Sequence, residues 1–326
     1  MGLRIVAAVH DPPVWTMPPA AVAQLRSDLP DDDVIDVRTP EERRREFPLA
    51  DVLLATRLTS DEARLLTGVR WIQSTAVGVG GLLTPEIVAS PVVVTNARGL
   101  HAEFIAEHAI ALTLALRRYL HVAAARQRDA VWAQAEIQAL PSPPLTGTPM
   151  LVAGLGEIGR RIAGLAAGLG FHVIGLRRRQ DAPVPDGVRE LVAAGDLLDV
   201  LPRVRAVVLA LPRTSDTRAM FGEAELAALP DGAVLVNIAR GRLIDETALV
   251  QELRSGRIAA GLDVFEREPL SADHPLWRLP NVLITPHTAA FGENYWTPAI
   301  ALFKDNLRRF KAGSPLLNLV DKDQGY

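Results

Sequence analysis

Two successive series of short apolar segments, each segment separated from the next by a helix-like stretch, constrain this chain more than any other feature. The first series holds "LRIVAAV" (3–9), "VIDV" (34–37), "DVLLAT" (51–56), "RWIQST" (70–75) and "VVVTN" (92–96), with "PPAAVAQLRSDL" and "SDEARLLTG" as helices between them. The second begins at Met150 with "MLVAG" and continues through "FHVIGL", "RAVVLAL" (205–211), "AVLVNI" (233–238), "AAGLDVF" (259–265) and "NVLITP" (281–286). Strands that alternate with helices in this way predict parallel sheets covered on both faces. With no repeat at solenoid periods, two such series predict two α/β domains. Between them, "LHAEFIAEHAIALTLALRRYLHVAAARQ" (100–127) carries a continuous apolar stripe and predicts one unusually long helix, suited to running between domains. "PSPPLTGTP" (141–149) is a loop by composition, and "TPAIALFKDNLRRFKAG" (297–313) predicts a last helix before a tail.

At 326 residues the chain is long enough for two cores, and 48% hydrophobic with 22% charged residues is ordinary for a globular protein. The net charge of −3 offers no general attraction for nucleic acid or an anionic membrane. No uninterrupted apolar stretch approaches the roughly 18 residues of a membrane span. The opening "MGLRIVAAVH" is too short an apolar run for a signal peptide's core, and Val6 breaks the myristoylation pattern. The absence of cysteine excludes disulfides, thiolate metal sites and cysteine nucleophiles, and fits a cytoplasmic protein. No metal site is expected. Lys304, Lys311 and Lys322 are the three lysines among 35 basic residues, which leaves 32 arginines. Arginine runs are therefore cheap here, and "RRR" occurs at 43–45 as well as at 177–179.

"GLGEIG" places Gly154, Gly156 and Gly159 in G-x-G-x-x-G spacing, after a predicted strand and at the start of the helix "EIGRRIAGLAAGL". Gly154 permits the tight turn, Gly156 lets a pyrophosphate approach the backbone at the helix N-terminus, and Gly159 lets the helix sit close to the sheet. A second strand ends about twenty residues on, which completes the dinucleotide-binding pattern. A methyltransferase holding its cofactor on a similar fold is the competing enzyme reading.

Three polar residues follow the last three strand candidates: Arg240 after "LVNI", Glu268 after "LDVF" and His287 after "LITP". Ligands in open α/β sheets bind at the carboxyl ends of strands, so these side chains are expected to face one crevice. A cation, a carboxylate and an imidazole suit the reduction of a 2-keto acid by a nicotinamide. The arginine binds the carboxylate or polarises the keto group. The protonated histidine gives its proton to the oxygen, and the glutamate stabilises the charged ring. Of the other histidines, His10, His121, His172 and His274 are expected to be solvated or locally bonded, and His101 and His108 to be structural members of the long helix.

"GLGEIGR", "LVNIARGRLIDETALVQELRSGRIAAGLDVFEREPL" and "HPLWRLPNVLITPHTAA" closely resemble the D-isomer-specific 2-hydroxyacid dehydrogenases. The likeness extends upstream through "RWIQSTAVGVGGL" and "VTNARGLHAEFIAEHAIALTLALRR", covering most of residues 50 to 290. It implies catalytic roles for Arg240, Glu268 and His287, and a substrate carboxylate held by the N–H groups of Val77 and Gly78, with Asn96 shaping the cleft. It implies a cofactor site along Gly154, Gly156, Glu157, Ile158, Gly159, Leu211, Pro212, Thr217, Ile238 and Ala239, with Asp263 facing the nicotinamide carboxamide. The implied fold is two doubly wound parallel-sheet domains. A Rossmann dinucleotide-binding domain (100–287) is inserted into a flavodoxin-like substrate domain (1–99 and 288–326). The implied assembly is a homodimer, and the implied partner a small 2-keto or 2-hydroxy acid. Two positions depart from the family pattern: Gly80 stands where an aspartate is usual, and "HTAAFGENYW" lacks the usual Thr/Glu-rich run. Tyr295 and Trp296 are candidates to wall the pocket, and Trp132 to reach a neighbouring subunit, although a core or surface role suits Trp132 as well.

In NAD-using relatives an aspartate ends the second strand of the nucleotide domain. Here that position is Arg177, followed by Arg178 and Arg179. Arginines there grip a 2′-phosphate through charge-assisted hydrogen bonds, so NADP is the expected cofactor, with NAD second. Two bland readings stay open: the run is compositional, or Asp181 swings back to hold the ribose of NAD. The functional alternative is a non-catalytic dinucleotide sensor or corepressor-like scaffold on the same fold. Retention of Arg240, Glu268 and His287 together favours catalysis. Glu268 argues against formate oxidation, where the resemblance implies glutamine.

Overall fold

The computed structural model describes residues 2–11, 15–178 and 180–325. The chain divides into two compact units, one running to His101 and resuming at Gly292, the other spanning Ala102–Phe291. One is thus inserted into the other along the sequence.

The interrupted unit is built on β1 (Arg4–Ala8), β4 (Asp33–Asp36), β5 (Val52–Ala55), β6 (Trp71–Ser74) and β7 (Val93–Thr95), all parallel, in the order β4-β1-β5-β6-β7. Numbered among themselves these strands run 2-1-3-4-5, the flavodoxin-like arrangement. A two-residue antiparallel pair, β2 (His10–Asp11) with β3 (Trp15–Thr16), stands beside them. The helix Trp296–Lys311 returns to this unit, where Phe303 stacks on Trp71 with ring centroids 5.3 Å apart.

The inserted unit holds β8 (Pro149–Ala153), β9 (His172–Leu176), β10 (Val188–Val192), β11 (Ala206–Leu209), β12 (Val234–Asn237), β13 (Ala259–Leu262) and β14 (Val282–Ile284). All are parallel, in the order β10-β9-β8-β11-β12-β13-β14, which is 3-2-1-4-5-6-7 by sequence and Rossmann in kind. Side chains alternate between the two faces of a strand. Leu151 and Ala153 accordingly enter one buried cluster, while Met150 and Val152 enter the other. The second cluster is covered by the Ala102–Arg117 helix through Ile105, Ala109, Leu112 and Leu116, and by Glu157–Gly168 through Ile162, Ala163 and Ala166. The expected fold of two doubly wound domains is therefore the observed one. Among the described residues, no helix is long and apolar enough to cross a membrane.

Three local expectations need correction. The long helix over 100–127 is two helices, Ala102–Arg117 and Leu120–Arg128, broken at Tyr119, whose φ of 56° is left-handed. The Tyr119 hydroxyl donates to the carbonyl of Pro141 at 2.6 Å, and the second helix buries no residue, so the apolar stripe ends at the break. His101 is not on a helix; it precedes one, buried and stacked on Tyr295 at 4.5 Å. Edge strand β10 escaped notice because "VRELV" has no apolar run and pairs with β9 through an irregular register.

Candidate active site

The glycine turn joins β8 to the Glu157–Gly168 helix. Gly154 has φ of +99°, and a Cβ there would come 2.6 Å from the carbonyl oxygen of Ala210. A Cβ on Gly159 would meet the Gly154 carbonyl oxygen at 1.8 Å, which is the close helix–sheet approach the spacing implies. At Gly156, the helix N-cap, a Cβ would meet nothing within 4 Å. The turn thus leaves open space at a helix N-terminus, where unpaired N–H groups and the helix dipole favour an anion. Leu211 and Pro212 follow β11, and the Thr217 hydroxyl closes their loop by donating to the Pro212 carbonyl at 2.7 Å. Ile238 and Ala239 are buried after β12.

Arg240, Glu268 and His287 follow β12, β13 and β14, so the parallel sheet delivers all three to one edge. His287 Nδ1 lies 2.6 Å from Glu268 Oε2. Glu268 Oε1 also accepts from the Phe265 N–H at 3.0 Å, which orients the carboxylate. The His287 side chain is 50% exposed and that of Glu268 33%. His287 is held at φ of 56° by its N–H, which donates to the carbonyls of Asp263 at 2.9 Å and Thr285 at 3.0 Å. A non-glycine residue in that region carries strain of about 1–3 kcal/mol, which the surroundings must offset.

The electrostatics of the pair are mutual. The hydrogen bond to Glu268 lifts the His287 pKa; burial opposes it, the charges of Glu268 and Asp263 add to it and Arg240 subtracts, with a net rise. Burial pushes the Glu268 carboxyl up, but the bonds from His287 and the Phe265 N–H, with the charges of His287 and Arg240, leave it lowered. Burial lowers the Arg240 pKa while Glu268 raises it, and a guanidinium so placed stays charged.

Asp263 does not reach outward. It is 1% exposed; Oδ1 accepts from the Thr285 hydroxyl at 2.6 Å and the Thr288 N–H at 2.9 Å, and Oδ2 from the Ala289 N–H at 3.1 Å. It anchors the turn that carries His287, and His108 Nε2, 3.0 Å from the Thr285 hydroxyl, backs the same turn. Sequence reasoning gave His108 only a generic structural part, since a contact between residues 177 positions apart leaves no local signal.

In the other unit, Val77 and Gly78 lie in the bend after β6. Among the described residues, neither N–H donates to a protein acceptor. The Val77 carbonyl accepts from Asn96 Nδ2 at 2.9 Å, and the Ala97 N–H donates to the Ala76 carbonyl at 3.1 Å, so the bend is held from β7. Gly80 is in an exposed turn with open space around its missing Cβ. Tyr295 is buried, its hydroxyl donating to the Thr75 carbonyl, and Trp15, Trp296 and His101 surround it.

Residues 110–289 match the sequence model described as D-isomer specific 2-hydroxyacid dehydrogenase, NAD binding domain. The chain belongs to the D-isomer specific 2-hydroxyacid dehydrogenase family. Among members, a D-3-phosphoglycerate dehydrogenase of Methanocaldococcus jannaschii is 31% identical over 87% of this chain and 54% of its own length. The chain thus spans about half the length of the first curated relatives it matches. A glyoxylate reductase of Korarchaeum cryptofilum is 33% identical over 78% of this chain and 77% of its own. The solved NADPH-dependent glyoxylate/hydroxypyruvate reductase of Sinorhizobium meliloti, in complex with NADP and sulfate, is 28% identical with a TM-score of 0.84, covering 99% of this chain and 100% of its own.

The two arginine triplets of this dehydrogenase-family chain differ in kind. Arg43, Arg44 and Arg45 sit on the Pro40–Glu46 helix and pair with Glu62, Glu41 and Glu46. Arg177, directly after β9, makes no ion pair among the described residues. It donates to the carbonyls of Pro183 at 2.9 Å and of Ala182, which makes it a strut for its own loop. These two bonds use part of the guanidinium's five N–H donors. Arg178 is exposed, as is Asp181, and Arg179 lies outside the described residues.

A prediction follows from the His287–Glu268 bond. In the free protein, the His287 ring followed by NMR is expected to titrate above the ordinary ~6.5, and Glu268→Gln to bring it down. A folded-state pKa above the unfolded one stabilises the protein fully below the unfolded value, and that share is lost as pH rises through the folded pKa. An unshifted His287 that ignores Glu268→Gln contradicts the coupling.

Proposed function

We propose that this chain is an NADP(H)-dependent oxidoreductase that interconverts a small 2-keto acid and the corresponding D-2-hydroxy acid. The inserted unit takes the dinucleotide and the interrupted unit the substrate. The observation that carries the reading is His287 Nδ1 at 2.6 Å from Glu268 Oε2, with Arg240 on the neighbouring strand end. The open turn at Gly156 and the helix N-terminus fit a pyrophosphate.

A nicotinamide bound there supplies or accepts the hydride. Glu268 holds a proton on His287 Nδ1, so Nε2 is the nitrogen that gives its proton to the keto oxygen in reduction and takes it back in oxidation. Glu268 stabilises the charged ring without itself accepting the proton. Arg240 offers a guanidinium to the substrate, and the two unpaired amides of Val77 and Gly78 suit a carboxylate. Retention of acid, partner carboxylate and cation together favours catalysis over a dinucleotide-sensing scaffold.

His287→Ala is expected to lower kcat for glyoxylate or hydroxypyruvate reduction by about 10²–10⁴-fold. Undiminished turnover by the folded variant removes the acid–base assignment and raises the scaffold reading.

NADPH is expected to outperform NADH, supported by a β9 end that carries arginine and no acid. One charge-assisted contact of about 1.5–3 kcal/mol corresponds to roughly 10- to 150-fold in kcat/KM. Arg177→Asp and Arg178→Asp, made separately, should each reduce the NADPH/NADH ratio. A wild type that prefers NADH, or a ratio that neither change moves, means the arginines reflect composition alone.

The assembly proposed is a homodimer. The Leu120–Arg128 and Gln134–Gln138 helices bury no residue, while Leu120 and Val131 are exposed and Trp132 is 86% exposed. Such an apolar arm suits a second copy of the chain. Light scattering at micromolar concentration should give twice the chain mass; a monomer refutes it.

A further inference from the structure

We infer that Glu246 is a positioning residue that ties the turn carrying Arg240 to the loop carrying Glu268, with His274 as its partner. Arg240 ends in a short turn, and Glu246 opens the helix Glu246–Arg254 just beyond it, capped by Asp245, whose side chain accepts from the Ala248 N–H at 3.1 Å. From this fixed point the Glu246 carboxylate reaches the next strand's loop with both oxygens. Oε2 accepts from the Glu266 N–H at 3.2 Å, and Oε1 lies 3.1 Å from His274 Nε2. His274 Nδ1 accepts from the Leu276 N–H at 3.4 Å, so the ring proton sits on Nε2 and is directed at Glu246.

The loop is therefore pinned at residues 266 and 274, and Glu268 lies between the pins. The two turns also touch through backbone: a Cβ on Gly241 would come 1.9 Å from the Phe265 carbonyl carbon. Glu246 and His274 are mostly shielded, with side chains 23% and 18% exposed, so the tie is less screened than a surface pair. By contrast, Arg242 and Glu266, at 3.6 Å and both 48% exposed, add little. A hydrogen bond as short as the one from His287 to Glu268 weakens with a displacement of a few tenths of an ångström. Removing the tie should therefore be felt at His287, although Glu246 has no hydrogen bond to it.

The charged groups that act on His287 are Glu268, Asp263 and Arg240; those that face His274 are Glu246 and Asp273. Of the three that act on His287, only Glu268 is carried by the pinned loop between residues 266 and 274. The His287 titration measured on the free protein thus reports on that loop and needs no bound cofactor.

The activity arm of the test rests on the proposed acid–base reading; the titration arm does not. Glu246→Ala is expected to bring the His287 NMR titration toward that of a free imidazole. It should cut kcat/KM for keto-acid reduction by about 2- to 150-fold, the span that corresponds to the coupling energies of contacting residues, while leaving the Kd for NADPH in place. Glu246→Gln, which keeps an acceptor for the Glu266 N–H, should preserve most of the His287 shift. In a Glu268→Gln background, Glu246→Ala should move the His287 titration no further. A His287 titration unmoved by Glu246→Ala, or moved equally in both backgrounds, overturns the proposal. If Glu246→Ala does not fold, His274→Gln removes one pin, and the same comparison between backgrounds decides. Full activity in His287→Ala with the titration results as expected sinks the acid–base reading alone.

Discussion

All strands of a parallel sheet end on the same side, and that constraint carries the rest of this molecule. The order 3-2-1-4-5-6-7 places the carboxyl ends of β12, β13 and β14 next to one another. Arg240, Glu268 and His287 are separated by up to 47 residues in sequence, yet each needs only to follow its strand to arrive at the same edge. The glycine turn after β8 arrives there too, and with it the N-terminus of the Glu157–Gly168 helix. The open helix N-terminus and the His287–Glu268 pair share an edge because they share a strand direction.

The fold was legible because buried parallel strands are continuous apolar runs, and these stand out against helices with a 3.6 period. Where that signal thins, the reading fails for a physical reason. β10 is an edge strand with an arginine and a glutamate among its five residues, and its pairing shifts register. The break at Tyr119 is hidden because helix-forming residues lie on both sides; only the left-handed backbone and the loss of burial reveal it. The position of the three candidate side chains after strands was legible. What holds them was not. His108 on Thr285, Asp263 on Thr288 and Ala289, and Glu246 on His274 are contacts between distant segments, and no spacing rule announces them.

The two arginine triplets show how one sequence pattern can mean two things. On a helix with glutamates around it, each arginine of 43–45 neutralises a carboxylate. After β9, among the described residues, Arg177 makes no ion pair. Arg177 turns to backbone carbonyls, which stabilise it as a donor but do not cancel its charge. An arginine with no ion pair among the described residues, at the end of the second strand of a Rossmann sheet, is the observation behind the proposed preference for a phosphate-bearing cofactor.

The His287–Glu268 pair is only half-sheltered, so its strength depends on geometry more than on exclusion of water. Burial alone would push the Glu268 carboxyl up, toward the neutral form that does nothing to hold a charge on the imidazole. The Phe265 N–H and the ring itself reverse that tendency, and they do so only while the carboxylate stays in register with both. On the other side, His287 sits in a strained backbone conformation that Asp263 maintains through its carbonyl and its side chain. Each partner is thus fixed by its own strand-end loop, and the hydrogen bond between them is the place where the two loops must agree. The close backbone approach at Gly241 and the buried Asp263 carboxylate behind the pair are what make that agreement possible.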